Sequence, residues 1–496
     1  MSGQSDERIA GIRPSLVHVL VALEVIAVLT VVMQMVRFPF ALDYGEAPLM
    51  DQAIRIARGE PLYPHRLDTP PYVVSNYTPL YPILLSAIAG MRPDQLLSSG
   101  RMLSVLGFVM AAVFLARWAH QVTKSQTVSW LAALFFLGNA AVAYWGALAR
   151  VDMLALGFSL LGVWLVAASD RRASYSVLGL LALLAAVMTK QSYVLAATAA
   201  AIVHVYQHVK SLHKVIAYAL GYVVGVTGLF ATLELTTSGG FTLHTVIANA
   251  NRVSAARALG IAWQMLKLWP TPILLSIAGM YMWATSQPGQ PPPAGPRRLL
   301  PLAAYTCGGA ITAAASGKIG SNINYWLELS AALSIWAAWA TVSIGRRFTL
   351  TLSRSFILLH AVWTAVTIAL IHQSVLAPQW QMLPQLHELQ QQIAVAISEG
   401  PVLADERMDM VIMAGGRIYF QPFEMTRLWE RGDWDEERLI VELKDHRFPL
   451  IVINLDDPLL VQERWPKPVL DTINRAYVGV ASNRRWTLYR PRQNRH

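Results

Sequence analysis

Two acids three residues apart, Asp43 and Glu46 in "FALDYGEAPLM", follow directly on the apolar run Leu16–Val36. Carboxylates placed there face water just above hydrocarbon. They can accept a proton from a hydroxyl or hold a divalent cation through oxygen. A plainer role is also open. Ala47–Arg58 has apolar residues at Leu49, Met50, Ala53, Ile54 and Ala57, with Asp51, Gln52, Arg55 and Arg58 between them. That is the pattern of an amphipathic helix lying in the membrane interface, with Pro48 in its first turn and Gly59 at its stop. Acids ahead of such a helix cap it and complement its dipole.

Three further stretches carry polar groups where apolar ones are the rule. Arg150 and Asp152 share the short turn of "ALARVDM"; they can neutralise each other, or the acid can join Asp43 and Glu46 while the base faces a phosphate. Lys190 and Gln191 stand between two apolar runs of barely spanning length, where snorkelling is the plain alternative for the lysine. In "GKIGSNINYWLEL", Lys318, Asn322, Asn324 and Tyr325 lead into a span and suit a phosphate or a sugar, the alternative being a helix start capped by asparagine. Glu328 lies one turn inside that span, where an ionisable group is costly without a partner or a role; Glu24 in the first span raises the same question.

These residues need elements to position them. The chain is 54% hydrophobic and 14% charged, against about a quarter charged for a soluble protein, and its mean hydropathy is +0.40. Apolar runs at 16–36, 101–118, 128–147, 149–169, 174–189, 191–207, 215–235, 267–285, 298–316, 325–344 and 353–373 predict a polytopic α-helical membrane protein. Leu80–Ala89 is too short to span and is flanked and interrupted by Pro79 and Pro82. If it stays on one side, one face collects Arg8, Arg13, Arg117, Lys124, Arg171, Arg172, Lys210, Lys214, Arg297, Arg298, Arg346, Arg347 and Arg354, and the opposite short loops hold single bases. The positive-inside rule favours this arrangement, with about eleven crossings, a cytoplasmic N-terminus and an external C-terminal tail. The loops 37–100 and 236–266, Arg150–Asp152, Lys190 and Lys318 then share the external face, while the cytoplasmic "SQPGQPPPAGPRR" is a Pro-rich connector.

Domain organisation follows as a transmembrane module over 1–375 and a soluble extracytoplasmic domain over 376–496. In the latter, "PVLADE" and "FPLIVINLDD" predict short buried strands, and "DEERLIVELKDH" and "KPVLDTINRAY" predict helices, hence a small α/β fold. From Ala377 onward there are 15 Lys and Arg against 17 Asp and Glu, so the net charge of +10 belongs to the membrane part. It serves as orientation signal and can face an anionic substrate; no nucleic acid partner is expected. The single cysteine, Cys307, excludes an internal disulfide and a thiolate metal cage. The histidines show no ligand spacing, and no phosphate-cradling GKS or GKT loop occurs.

Taken in order, "LDYGEA", a loop ending "NYTPLYPILL", then "ARVDMLAL", "MTKQSYVLA" and "GSNINYWLEL" resemble the GT-C class of integral-membrane glycosyltransferases. That class includes protein O-mannosyltransferases and lipid A aminoarabinose transferases; the likeness runs from residue 16 to about 373 and is strongest to bacterial members that use polyprenyl-phosphate sugars. The resemblance implies a multi-pass protein of the bacterial inner membrane that inverts the sugar it moves. The donor is then a polyprenyl-phosphate sugar and the acceptor an external glycan, lipid or protein hydroxyl. It gives Asp43 the first-loop carboxylate role with Glu46 beside it, and Asp152 that of the second-loop acid. The first pair departs from the class pattern of adjacent acids, which leaves open which is the base and whether Asp43 and Glu46 hold Mg²⁺ or Mn²⁺. Arg58, Arg150, Lys190 and Lys318 are the candidate cations for the departing phosphate, with Gln191, Asn322, Asn324, Tyr325 and Glu328 around them. A polytopic transporter or lipid flippase is the competing expectation, motivated by the number of spans and by Glu24 and Glu328; it predicts repeat symmetry, which the sequence does not display.

Overall fold

A computed structural model describes residues 14–169, 174–209, 211–286, 296–483 and 485–492. Arg8, Arg13, Arg171, Arg172, Lys210 and most of the Pro-rich connector lie outside the described residues. Among the described residues, six helices are long and apolar enough to cross a membrane: His18–Arg37, Pro93–Thr123, Leu212–Thr236, Arg297–Gly317, Ile323–Arg347 and Leu350–Gln381. Leu80–Ala89, Gln126–Leu137, Val151–Ala167 and Ser174–Thr189 are shorter apolar helices. The chain is thus a mostly helical polytopic protein with a small mixed sheet near its C-terminus.

Several expected spans are broken, each for a local reason. The run 128–147 divides at Gly138, because Asn139 caps a new helix, Ala140–Trp145, with its Oδ1 accepting from the Ala141 amide at 3.0 Å. The run 267–285 divides at Trp269, since the proline at 270 disfavours helical backbone before it. The run expected at 191–207 becomes helical only from Ala196, leaving Lys190–Leu195 as irregular backbone. Leu80–Ala89 is a helix of ten residues, about 15 Å long, half the thickness of the hydrocarbon core.

At the centre stands Leu327–Arg347, buried on every side through Gly345, whereas Leu212–Thr236 leaves Leu220, Val223, Val224 and Leu235 exposed, as a helix facing lipid does. The helices Pro93–Thr123 and Val151–Ala167 approach closely because they meet through glycine: a Cβ on Gly107 would come within 2.5 Å of the Leu154 backbone, and one on Gly157 within 2.8 Å of the Gly107 carbonyl.

The first juxtamembrane helix corrects the sequence expectation. It runs Glu46–Ala57 and ends beside Gly59, whose φ is +71°, as expected, but it is buried from Glu46 through Arg55 instead of lying in the interface. It packs against the helices Leu80–Ala89 and Pro93–Thr123 and against Met408–Met413 of the tail. Its polar face is satisfied by protein: Arg55 pairs with Asp51 at 2.9 Å and donates to the Pro61 and Leu62 carbonyls and to Ser75 Oγ. Nearby, buried His244 ties the two long loops together, accepting from the Ser75 amide at Nδ1 and donating from Nε2 to the Pro64 carbonyl. Burial pushes its pKa down to about 4, so this bridge is a neutral imidazole at pH 7.

In the tail, β1 (Leu403–Ala404), β2 (Ile451–Asn454), β3 (Tyr477–Asn483) and β4 (Trp486–Pro491) form one sheet in the order β1-β2-β4-β3. Only the β1–β2 pair is parallel. The expected helices appear as Glu437–Lys444 and Lys467–Ala476; the hairpin β3–β4 has no counterpart in the sequence expectation. Tail and first loop are stitched by main-chain bonds: Tyr72 donates to the Tyr419 carbonyl at 2.8 Å, and the Gln421 amide returns one to the Tyr72 carbonyl at 3.0 Å.

Candidate active site

The "LDYGE" turn sends its two acids in different directions. Glu46 points back along the chain, accepting from the Leu42 and Asp43 amides at 2.7 and 3.2 Å, a reversed capping contact. It also accepts from the Ala149 amide at 2.8 Å and from Arg101 through both oxygens, at 2.9 and 3.1 Å. Arg101 is fully buried, and its remaining donors reach the Met35, Phe38 and Phe40 carbonyls. Burial alone would raise the Glu46 carboxyl; Arg101 and the amides outweigh it and hold the group below the usual range. This closed cluster fixes the exit of the first helix, the first loop and the turn before Arg150 as one unit.

Asp43 is held more lightly. Its Oδ1 accepts from the Gly45 amide at 2.9 Å and from Arg150 at 3.0 Å; among the described residues no bond falls on Oδ2. The side chain is 24% exposed, into a cavity of 630 Å³. Burial, opposed by Arg150, pushes its carboxyl up, which suits a proton acceptor. Gly45 makes this contact possible: a Cβ there would lie 1.1 Å from a guanidinium nitrogen of Arg150.

Arg150 spans the site. It donates to Asp43 and, at 2.9 Å, to the Tyr77 hydroxyl, and it lies over the rings of Tyr77 and Trp145. Its Nε stands 3.8 Å from Asp152 Oδ2, and neither atom has a hydrogen-bond partner among the described residues. Asp152 is wholly buried behind this layer, accepting on Oδ1 from Lys190 at 2.6 Å and from the Asn324 amide at 2.8 Å. The ammonium also lies 4.6 Å from the centre of the Tyr325 ring. Burial works against the charge on Lys190, and the Asp152 contact more than compensates, holding its pKa above the ordinary lysine range. On the opposite wall Lys318 donates to the Asn249 carbonyl and side-chain oxygens at 3.3 Å. The loop carrying Lys318 is held by a short pairing in which the Ile319 amide donates to the Arg252 carbonyl at 2.9 Å.

Of the twelve residues selected from sequence, the cavity is lined by Asp43, Arg150, Lys190, Gln191, Lys318, Asn322, Asn324 and Tyr325. Four lie elsewhere. Glu46 is inside the closed cluster, Asp152 is one layer back, and Arg58 is exposed at the far end of its helix beside a separate crevice with Asp51 and Arg417. Glu328 is buried among the helices near Ser159 at 3.5 Å. Asn322 caps the following turn with its own Oδ1, as the plainer reading had it. Asp43 and Glu46 do not fit as joint metal ligands: Glu46 has both oxygens engaged by Arg101 and three amides, and Asp43 faces a guanidinium. Among the described residues no group of three or more His, Cys, Asp or Glu is placed to hold a metal ion.

Sequence reading missed several residues. Arg101 stands at the edge of the apolar run 101–118. Tyr44, Asn76 and Tyr77 stand in "LDYGEA" and "NYTPLYPILL" with nothing local to single them out. The tail contributes Phe423, Glu424, Arg427 and Arg464 to the cavity wall, and no local signal marked them.

Neither a protein-family model nor a curated protein matches the sequence. Among solved structures, the chain is similar to ArnT from Cupriavidus metallidurans bound to undecaprenyl phosphate, with TM-score 0.64 and 12% identity over 95% of this chain and 97% of that one. The apo form of the same protein gives 0.62 at equal coverage. The archaeal oligosaccharyltransferase AglB from Archaeoglobus fulgidus, in complex with an inhibitory peptide and a dolichol-phosphate, gives 0.51 at 11% identity, over 95% and 74%. Over nearly its full length this chain has the fold of the GT-C membrane glycosyltransferases.

Proposed function

We propose that this protein is a membrane glycosyltransferase that moves a sugar from a polyprenyl phosphate to an acceptor hydroxyl on the extracytoplasmic face, with inversion at the anomeric carbon. The observation that carries the reading is the Asp43 carboxylate: one oxygen is fixed by Arg150 and Gly45, the other has no donor among the described residues, and the residue lines a cavity shared with Lys190 and Lys318. The fold shared with a protein bound to undecaprenyl phosphate supports the choice of donor.

In this reading Asp43 takes the proton of the acceptor hydroxyl as its oxygen attacks the anomeric carbon, and the bond from that carbon to the phosphate oxygen breaks. Lipid phosphate leaves as an anion without needing a proton. Arg150, Lys190 and Lys318 stabilise the charge that develops on it in a site screened from bulk water. Asp152 and Asn324 orient the Lys190 ammonium, which makes Asp152 a positioning residue. Glu46 holds the loop that carries Asp43. The positive charge comes from these side chains, and no step is assigned to Mg²⁺ or Mn²⁺. The lipid tail stays in the bilayer, which is why the chamber adjoins the transmembrane bundle.

The full-length protein in lipid nanodiscs is expected to bind undecaprenyl phosphate saturably, and Lys190→Gln to weaken that binding at least tenfold. Absence of saturable binding by the unmodified protein would falsify the reading. Its topology is tested by a reporter fused after His496: activity on the cytoplasmic side of the membrane sinks the extracytoplasmic assignment.

A further inference from the structure

The cavity has a chemical asymmetry that phosphate binding does not use. Three side-chain amides on its wall have their nitrogens engaged by protein acceptors. Asn324 donates its amide nitrogen to Asp152 at 2.8 Å, Gln191 to the Asn76 carbonyl at 2.8 Å, and Asn76 to Glu424 at 3.2 Å. These donor contacts, to a carboxylate, a main-chain carbonyl and a second carboxylate, fix which end of each amide is nitrogen. All three amide oxygens, Asn76 Oδ1, Gln191 Oε1 and Asn324 Oδ1, are buried and, among the described residues, meet no donor.

Glu424 adds a charged oxygen to this set. It stands in the first turn of the tail helix Pro422–Arg431, is 7% exposed, and among the described residues accepts from neutral groups: its own amide, Asn76 and, at 3.1 Å, the Tyr44 hydroxyl. Among the described residues no cation lies within ion-pair distance of it. The neighbouring arginines are engaged elsewhere, Arg427 with Glu430 at 2.8 Å, and Arg464 with Asp405 and Glu406 at 3.2 and 3.0 Å. Burial pushes the Glu424 carboxyl up. Leaving so many acceptors without donors is costly unless a ligand supplies them. A phosphate brings only oxygens and is repelled here. A sugar ring brings hydroxyl donors, and an amino sugar an ammonium.

We infer that Glu424, Asn76, Gln191 and Asn324 form a subsite for a sugar ring rich in hydroxyl or ammonium donors, and that Glu424 is the group by which the tail reads it. The ring is either the one being transferred or one presented by the acceptor, and the assignment rests on the glycosyltransferase reading. Two arms separate the sources, using full-length protein in nanodiscs and its Glu424→Gln variant, with Glu424→Asp as the conservative control. In the first arm, dissociation constants are measured for undecaprenyl phosphate and for undecaprenyl phosphates bearing a neutral hexose or an amino sugar. In the second, binding of the methyl glycosides of the same sugars to protein preloaded with undecaprenyl phosphate is followed by saturation-transfer NMR.

Glu424→Gln is expected to weaken sugar binding about tenfold in one arm, with partial rescue by Glu424→Asp and with affinity for bare undecaprenyl phosphate kept within twofold. Loss in the first arm assigns the subsite to the transferred sugar, and loss in the second to the acceptor. The inference is overturned if neither arm changes, or if affinity for the bare lipid falls as far as that for the sugars, which would make Glu424 a structural tie. Failure of the unmodified protein to bind bare undecaprenyl phosphate removes the enzyme reading itself, and this one with it.

Discussion

Glu46 and Asp43 are three residues apart and each faces an arginine, yet the two pairs are built differently. The Glu46–Arg101 pair has no exposed side-chain surface, and every donor of the arginine reaches an oxygen. The Asp43–Arg150 pair opens on the cavity and keeps atoms in reserve, one carboxylate oxygen and the arginine Nε. A buried ion pair with nothing left over cannot exchange a proton or grip a ligand without unfolding its surroundings. One with unused capacity can do both. Satisfaction, more than charge or proximity in sequence, separates the carboxylate that holds the loop from the one left able to take up a proton or a ligand.

The contrast can be broken most directly at Asp43. Asp43→Asn is expected to lower sugar transfer by about 10²- to 10⁴-fold, the usual scale for a lost general base, with thermal unfolding unchanged. Transfer at the wild-type rate by the purified variant defeats the assignment. Next is Arg101→Leu, which strands a buried carboxylate and is expected to cost about 3–5 kcal/mol of stability. Detergent-solubilised melting curves read this, and an unaltered midpoint means that the closed cluster is not what holds the loop. The smallest effect sharpens the comparison: Gly45→Ala keeps both acids but forces the Arg150 guanidinium aside. Activity is expected to fall about tenfold, on the order of 1.4 kcal/mol. The acid limb of the pH profile should move to higher pH, because Asp43, already raised by burial, loses the cation that opposes the rise. An unshifted limb indicates that Arg150 does not set the ionisation of Asp43.

Much of the membrane module could be read from apolar runs, and the residues that converge on the cavity were legible as polar exceptions to those runs. What could not be read was partnership. Asp-x-x-Glu at a helix start is compatible with a catalytic pair and with capping, and Arg101, on another helix, decides between them. The amphipathic pattern of Glu46–Ala57 gave its faces correctly but not their environment, since Pro61, Leu62 and Ser75 of the first loop meet Arg55 on the side expected to face water. Glu424 lies 380 residues from Tyr44, its hydrogen-bond partner, and nothing in "QPFEMTR" announces such a contact. Breaks within spans came from single residues, Asn139 and Pro270, whose local preferences outweighed hydrophobic periodicity.

The tail strand pairing through Tyr72 and Phe420 also sets an order of events. Ribosomes deliver the first loop more than three hundred residues, and the last span only about forty, before the helix that carries Glu424, so the nascent chain enters the bilayer with one side of its chamber still unmade. The cavity is completed late in synthesis, and a truncated product can occupy the bilayer with its chamber open on one side.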